Sequence, residues 1–162
     1  MTAVFDKEYY DLDELSENLN LLVDDYNDTI DGFQIEVTSI TKSEDNMVEV
    51  DMYYRTDEDY AAFNNVVFNE TLLSKALADG SINGDVTLAG LGESGISSVA
   101  DIAASKTRYH VLIYNEPISV KVPGKVAYMS DSLHMDEDGW ISLKEIPEGS
   151  IVLPANLYII YK

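Results

Sequence analysis

The first part of the chain switches between a helical and a strand-like spacing of its apolar residues. Apolar side chains recur every three or four residues over about 8–27, which places them on one stripe of a helix. This stripe consists of Leu12, Leu15, Leu19, Leu22 and Tyr26. Apolar and polar residues then alternate in 33–40 and again in 47–53, around a polar turn, and this pattern predicts a β-hairpin. A second amphipathic helix is predicted over about 57–79, with Gly80 as its stop.

The rest of the chain has the pattern of short strands. Residues 80–95 hold five of the nine glycines and predict a tightly turned connection, which a short helix follows over about 97–106. Beyond it, all four prolines separate short apolar runs and mark turns or strand ends. These runs are 108–114, 118–122, 126–129, 140–144, 151–153 and 157–161. The predicted fold class is α+β: an N-terminal helix, a β-hairpin and a second helix, then a β-rich, sandwich-like C-terminal half.

Length and composition favour one folded domain. The 162 residues are the usual size of a domain, and 46% of them are hydrophobic, enough to build a core. We predict a single α+β domain over 1–162, with an acidic helix-hairpin-helix part (1–80), a Gly-rich loop and short helix (81–107) and a β-rich part (108–162). No apolar run approaches the roughly 18 residues of a membrane-spanning helix, and the acidic start is unlike a secretory signal. We therefore expect synthesis and folding in a cytoplasm and no membrane contact.

The charge of the chain is concentrated near its N-terminus. The formal net charge is −20; residues 1–60 hold 18 acids and three bases, whereas residues 61–162 hold 12 acids and seven bases. Such a charge disfavours direct binding to nucleic acid backbones. Four acids lie on the first predicted helix and are our candidate partner-binding residues: Asp13, Glu17, Asp24 and Asp28. Their row is either a solvated or docking face for a basic partner, or an imitation of DNA phosphates that blocks a nucleic-acid-binding enzyme.

The leucine stripe itself has two interpretations. It lasts only two heptads, whereas coiled-coil seams normally run for three or four. We expect it to pack onto its own domain, with a partner helix or self-association as the alternative.

A glycine motif in the middle of the chain resembles the dinucleotide-binding fingerprint. Gly90, Gly92 and Gly95 spell G-x-G-x-x-G, with a short strand over 86–88 before them and a predicted helix after them. In that motif the glycines let a pyrophosphate approach the N-terminus of a helix. Glu116, which follows 21 residues after the last glycine, has the position of the ribose-binding acid. The alternative is a Gly-rich connection that has no ligand.

A second stretch, residues 134–145, resembles the calcium-binding loop of EF-hands. Asp136, Asp138 and Glu145 occupy the third, fifth and twelfth positions of that loop, and Gly139 occupies the sixth. His134 stands at the first position, where the family has Asp. Pro147 follows directly and opposes an exit helix. The alternative is a β-hairpin with Asp138-Gly139 as its turn.

The inventory of catalytic residues is small. The chain has no cysteine and two histidines, and His110, inside an apolar strand, has the surroundings of a structural residue. We therefore predict a non-enzymatic structural or interaction protein without a cofactor, a component of a larger assembly such as a virus particle or its assembly machinery. Its partners would be proteins of that assembly, including other copies of itself. The alternatives are an acidic DNA-mimic inhibitor and a nucleotide-binding enzyme that uses Gly90, Gly92 and Gly95.

Overall fold

Helices and strands alternate along the chain, and the predicted α+β class is confirmed. The computed structural model describes residues 2–6, 11–30, 34–42, 47–92, 95–105, 107–146 and 152–162. Its elements in chain order are β1 (Thr2–Asp6), α1 (Leu12–Thr29), β2 (Ile35–Lys42), β3 (Met47–Tyr54), α2 (Asp57–Asn64), β4 (Phe68–Leu72), α3 (Leu73–Asp79), β5 (Thr87–Gly90), β6 (Ile96–Ser98), α4 (Val99–Ala104), β7 (His110–Tyr114), β8 (Val126–Met129), β9 (Leu133–Met135), β10 (Ile141–Leu143) and β11 (Leu157–Tyr161).

The elements group into two compact units, residues 1–64 and 65–162. The first unit holds a three-stranded antiparallel sheet in the order β1-β3-β2 together with α1 and α2. The predicted hairpin is confirmed as β2 and β3, whereas β1 was not predicted. Its sequence, TAVFD, has strand-forming residues but is too short to show a period of two. The prediction of a single domain over 1–162 stays a prediction.

Helix α1 begins and ends close to its predicted bounds, and its predicted apolar stripe is half-buried except at Leu22. Asp11 caps it, since its carboxylate accepts the Asp13 N–H at 2.9 Å. The predicted stripe included Leu22, and this part of the prediction is wrong, because the side chain of Leu22 is 58% exposed while Val23 is buried. Three turns of an α-helix take about 11 residues, so the face that contains Leu12 returns at residue 23.

Asn27 ties α1 to the edge of the sheet. Its side-chain amide donates to the Ile35 carbonyl at 2.9 Å, and its carbonyl oxygen accepts the N–H groups of Gln34 and Ile35 at 2.9 and 3.0 Å. The side chain is 9% exposed, so these bonds satisfy a polar group that would otherwise be buried at a cost. Asn27 therefore fixes where β2 starts.

The second predicted helix is divided in two, which corrects the range 57–79. α2 ends at Asn64, and Asn65 has the left-handed φ of +54°, which stops a helix. β4 (Phe68–Leu72) follows and pairs with β7 along its whole length. Local helix propensity is overridden here by pairing with a strand some 40 residues later. Gly80 does end α3, with a φ of +81°, as predicted.

The second unit is built on a six-stranded antiparallel sheet in the order β4-β7-β11-β8-β5-β6. Successive residues of β7 and β11 point to opposite faces, and both faces are covered. On one face the sheet packs against the β9–β10 hairpin, through Leu133 and Ile141. On the other face it packs against α3 and α4, through residues that include Leu73 and Val99. This double coverage explains why β11 and residues 111–114 of β7 are apolar throughout rather than alternating.

Several predicted strand bounds in this unit change. Residues 118–122 are not a strand; they form an isolated bridge between Val120 and Ile141. The predicted strand 140–144 is β10, Ile141–Leu143, and its partner β9 was not predicted. Residue 151 lies outside the described residues, and 152–153 are not in a strand. Over the described part of the chain, no helix is long and apolar enough to span a membrane.

Candidate functional site

The glycine motif forms the turn of a β-hairpin rather than the start of a helix. β5 and β6 pair antiparallel on either side of it, and the Gly90 N–H donates to the Gly95 carbonyl at 2.6 Å. Gly92 and Gly95 have φ values of +75° and +62°, which explains why glycine stands at both positions. The short helix predicted over about 97–106 is confirmed as α4, but it begins at Val99, after β6, and so does not start at the glycine motif.

Gly90 and Glu116 lie toward opposite ends of the sheet. Gly90 is aligned with Tyr128, Tyr128 with Ile160, and Ile160 with Val111, near the beginning of β7. Glu116 follows the far end of β7, and β11 and β8 stand between β7 and β5. A dinucleotide fold instead places the glycine loop and the ribose-binding acid at the carboxyl ends of parallel strands. The sheet therefore does not bring Gly90 and Glu116 together as the dinucleotide fingerprint does, and Glu116 is 7% exposed.

The EF-hand-like stretch is also a hairpin, and that alternative is confirmed. The Asp136 N–H donates to the Trp140 carbonyl at 2.9 Å, and the Trp140 N–H donates to the Asp136 carboxylate at 2.8 Å. Gly139 has a φ of +84° in the turn. Asp136 thus holds the turn closed, while Asp138 and Glu145 are exposed. Among the described residues, no group of three or more His, Asp or Glu side chains could hold a metal ion.

The two hairpins contribute to one concave surface of the second unit. This pocket, which we call the lysine pocket, has a volume of about 490 Å³. That volume lies within the usual range of ligand pockets, roughly 300–1,000 Å³. Its lining consists of Leu91, Gly92, Lys121, Val122, Gly124, Lys125, Val126, Met135 and Gly139. The structure thus brings one glycine of each motif, Gly92 and Gly139, into one place.

Gly124, a lining residue of the lysine pocket, allows its segment of the chain to lie close to the end of β11. The Lys125 N–H donates to the Lys162 carbonyl at 2.8 Å, and the Lys162 N–H returns to the Lys125 carbonyl at 3.1 Å. This pairing brings residues 124–125 against the end of β11. A Cβ on Gly124 would lie 2.6 Å from the Lys162 oxygen and 2.8 Å from the ring of Tyr161. A glycine is therefore required by close approach, although its φ is ordinary.

The rim of the lysine pocket combines positive charge with exposed apolar surface. The Lys121 ammonium lies 5.9 Å from the centre of the Trp140 ring, within the range of a cation–π contact. Trp140 is 46% exposed and Met135 is 40% exposed. Lys121 and Lys125 are the lysines of the lining. The pocket can therefore take an apolar group that carries a carboxylate or another anion beside it. Sequence reasoning missed these lysines; the available signal was two bases four residues apart, around Pro and Gly, in an acidic chain.

The four candidate partner-binding acids lie on α1, where the structure leaves all of them exposed. Asp13, Glu17, Asp24 and Asp28 are joined on the same helix by Glu14 and Asp25, which are exposed too. None of these six carboxylates forms an ion pair within the described part of the chain. Leu21 and Leu22, 56% and 58% exposed, stand in the middle of this row. The helix thus presents an apolar pair inside a negative surface.

His110 belongs to a polar group on the sheet. Its Nδ1 lies 2.5 Å from Glu70 Oε1, which also accepts the Tyr161 hydroxyl at 2.9 Å. The imidazole stacks on the Tyr161 ring, with 5.6 Å between the ring centres. These contacts link β4, β7 and β11 across the sheet and fit the structural role that the sequence suggested for His110. His134 is exposed on β9, opposite Ser142.

No protein family matches the chain, and neither a curated protein nor a solved structure matches it. The lysine pocket and the α1 surface are therefore the features from which we infer a function.

Proposed function

We propose that this protein is a non-enzymatic interaction protein that works as a component of a larger assembly. The observation that carries the proposal is the rim of the lysine pocket. Met135 belongs to the lining and Trp140 lies beside Lys121 of the lining, and both side chains are well exposed. Aromatic residues and Met are enriched where protein surfaces meet, and an apolar patch with a polar rim is typical of such contacts.

The α1 surface supports the same proposal from the other unit. Leu21 and Leu22 are exposed in a helix whose other exposed positions are mostly charged or polar. Scattered apolar residues are ordinary on protein surfaces, but two adjacent leucines inside a row of carboxylates expose a local apolar patch. The assembly we propose is of the kind that the sequence suggested, a virus particle or its assembly machinery, and that part of the proposal rests on the sequence alone.

Affinity capture tests the proposal. We expect the tagged chain, expressed in its native host, to copurify with protein partners in fixed stoichiometry. A variant with Met135→Ser and Trp140→Ser should lose a large part of that capture. Ile96→Ser is the matched control, because Ile96 is 78% exposed and outside the pocket lining. A monomer that captures no stoichiometric partner would overturn the proposal, and turnover of a small molecule would point to an enzyme instead.

The carboxylate row on α1 favours one second candidate, a DNA mimic that inhibits a nucleic-acid-binding enzyme. The six exposed acids run from Asp13 to Asp28, a distance of about 22 Å at 1.5 Å per residue. That is roughly one charge per 4 Å, close to the 3.4 Å spacing of phosphates along one DNA strand.

The DNA-mimic candidate has its own test. It predicts salt-sensitive binding to a basic enzyme, lost when Asp13, Glu17, Asp24 and Asp28 are changed to Asn or Gln. The control changes Asp79, Asp85 and Asp101 of the second unit to Asn. Binding that survives the α1 changes excludes the mimic and leaves the assembly proposal standing.

A further inference from the structure

The leucine pair of α1 and the lysine pocket are complementary in chemistry. Leu21 has Glu17 one turn before it and Asp24 and Asp25 one turn after it, and residues three and four apart share a helix face. Leu21 is therefore bracketed by carboxylates at both ends, and the adjacent Leu22 has Asp25 three residues after it. A pocket that binds this part of α1 must therefore offer apolar surface to the two leucines and positive charge to the acids.

The lysine pocket offers the opposite arrangement. Its apolar lining comes from Leu91, Val122, Val126 and Met135, and its lining also includes the two exposed lysines Lys121 and Lys125. Three carboxylates of the neighbouring turn, residues 136–138, are exposed but are not part of the lining. An apolar segment with flanking carboxylates would thus bury its leucines and bring its acids to the lysines. Removing this apolar surface from water contributes roughly 25 cal/mol per Å².

We propose that the occupant of the lysine pocket is α1 of a second copy of this chain. Leu21 and Leu22 of one copy enter the pocket of the next, and Asp24 and Asp25 lie against its lysines. The inference rests on the proposed function, and it names the partner. The contact joins two different surfaces, so each copy that uses its helix still offers a free pocket. Such a contact extends into a ring or an open chain.

Long-range repulsion between copies opposes this contact without preventing it. Each copy carries a formal charge of −20. At 0.15 M salt the Debye length is about 8 Å, so remote charges are largely screened while contacting pairs still attract. The contact is therefore short-ranged and depends on burying the leucine pair. Its strength should fall when either the leucines or the lysines are changed.

A mixing experiment with the full chain tests the inference. The helix variant carries Leu21→Ser and Leu22→Ser, and the pocket variant carries Lys121→Glu and Lys125→Glu. All four positions are exposed, and circular dichroism checks that both variants fold. Sedimentation velocity at 0.15 M salt, over a range of concentrations, measures the mass of each variant alone and of their equimolar mixture. The emission of Trp140, the single tryptophan, reports occupancy of the pocket independently.

We expect the unmodified chain to associate. The dissociation constant of each variant alone should be at least about tenfold higher than that of the unmodified chain. The mixture should recover a complex limited to one copy of each, because the pocket variant keeps its helix and the helix variant keeps its pocket. The controls Ile96→Ser and Lys75→Glu should associate like the unmodified chain. An unmodified chain that stays monomeric at millimolar concentration, or variants that associate unchanged, would overturn the inference.

Failure of this inference is distinguishable from failure of the proposed function. If the chain stays monomeric but Met135→Ser and Trp140→Ser still weaken capture of other proteins, the second copy is the wrong partner and the assembly proposal stands. If capture is also absent, both fail.

Discussion

Replacing Tyr114 with Phe should stabilise the protein. The side chain is fully buried at the end of β7, and its hydroxyl has no hydrogen-bond partner among the described residues. A buried unsatisfied polar group costs about 1–3 kcal/mol. Phe keeps the ring, and with it the contact to Phe68 at 6.4 Å between ring centres, and leaves a gap of only one oxygen. We therefore expect a net gain of about 1–2 kcal/mol in the free energy of unfolding, or roughly 2–8 °C in Tm.

The pH dependence of the free energy of unfolding tests the same prediction in a second way. Burial raises the pKa of Tyr114 well above its ordinary value of 10.0. Below pH 10 the hydroxyl is neutral in both the folded and the unfolded chain, so it does not change the free energy of unfolding as the pH varies. Above pH 10 the unfolded chain releases this proton while the folded chain keeps it, so stability falls by up to about 1.4 kcal/mol per pH unit. The Phe variant lacks this loss, and its advantage should widen from pH 9 to pH 11.

Urea unfolding followed by circular dichroism at pH 7.5, 9 and 11 measures both effects. Tyr161→Phe is the control, because its hydroxyl donates to Glu70 at 2.9 Å and its loss should lower stability at pH 7.5. The reasoning is refuted if the Tyr114 variant is less stable than the unmodified chain at pH 7.5, or if its advantage stays constant as the pH rises.

Three further predictions concern features described above. Asn27→Ala should lower the free energy of unfolding by about 2–4 kcal/mol, because it leaves buried backbone groups of Ile35 unpaired. Urea titration measures this loss, and Asn20→Ala, at an exposed site, is the control. Gly124→Ala should lower Tm by several degrees, about 1–3 kcal/mol, because its Cβ meets the Lys162 carbonyl; an equal Tm would contradict this close approach. Millimolar NAD or calcium should leave Tm unchanged in thermal-shift measurements, whereas a ligand at 100 times its dissociation constant would add about 2.7 kcal/mol.

The sequence pattern predicted elements where local signals and tertiary packing agree. The β2–β3 hairpin and α1 follow from period and capping, and the turn at Asp138-Gly139 follows from its residues. Where packing decides, the pattern was misleading. β4 lies inside a predicted helix because its pairing with β7 is invisible in a local window. The buried stripe of α1 shifted from Leu22 to Val23 because both choices fit a spacing of three and four.

The lysine pocket was beyond sequence reasoning for a similar reason. Each of the two glycine motifs resembles a loop that binds its ligand without the other, and neither resemblance indicates that the two loops lie together. Their meeting depends on the order of the strands and on the bridge between Val120 and Ile141, which brings the 121–126 segment against the β9–β10 hairpin. The acids of α1 were placed correctly on one exposed helix, but the exposure of Leu21 and Leu22 beside them was not foreseen.

The position of β11 has a consequence for biosynthesis. This strand is made after every other strand of its sheet, yet it lies at the centre, between β7 and β8. On the ribosome those two strands must therefore wait, with the backbone groups of their facing edges unpaired, until Leu157–Tyr161 emerges. β11 itself is uncharged and rich in Ile and Tyr, the composition of an aggregation-prone segment. Its central place, enclosed on both edges, hides that segment in the folded protein, and nascent chains should depend on chaperones until it is inserted.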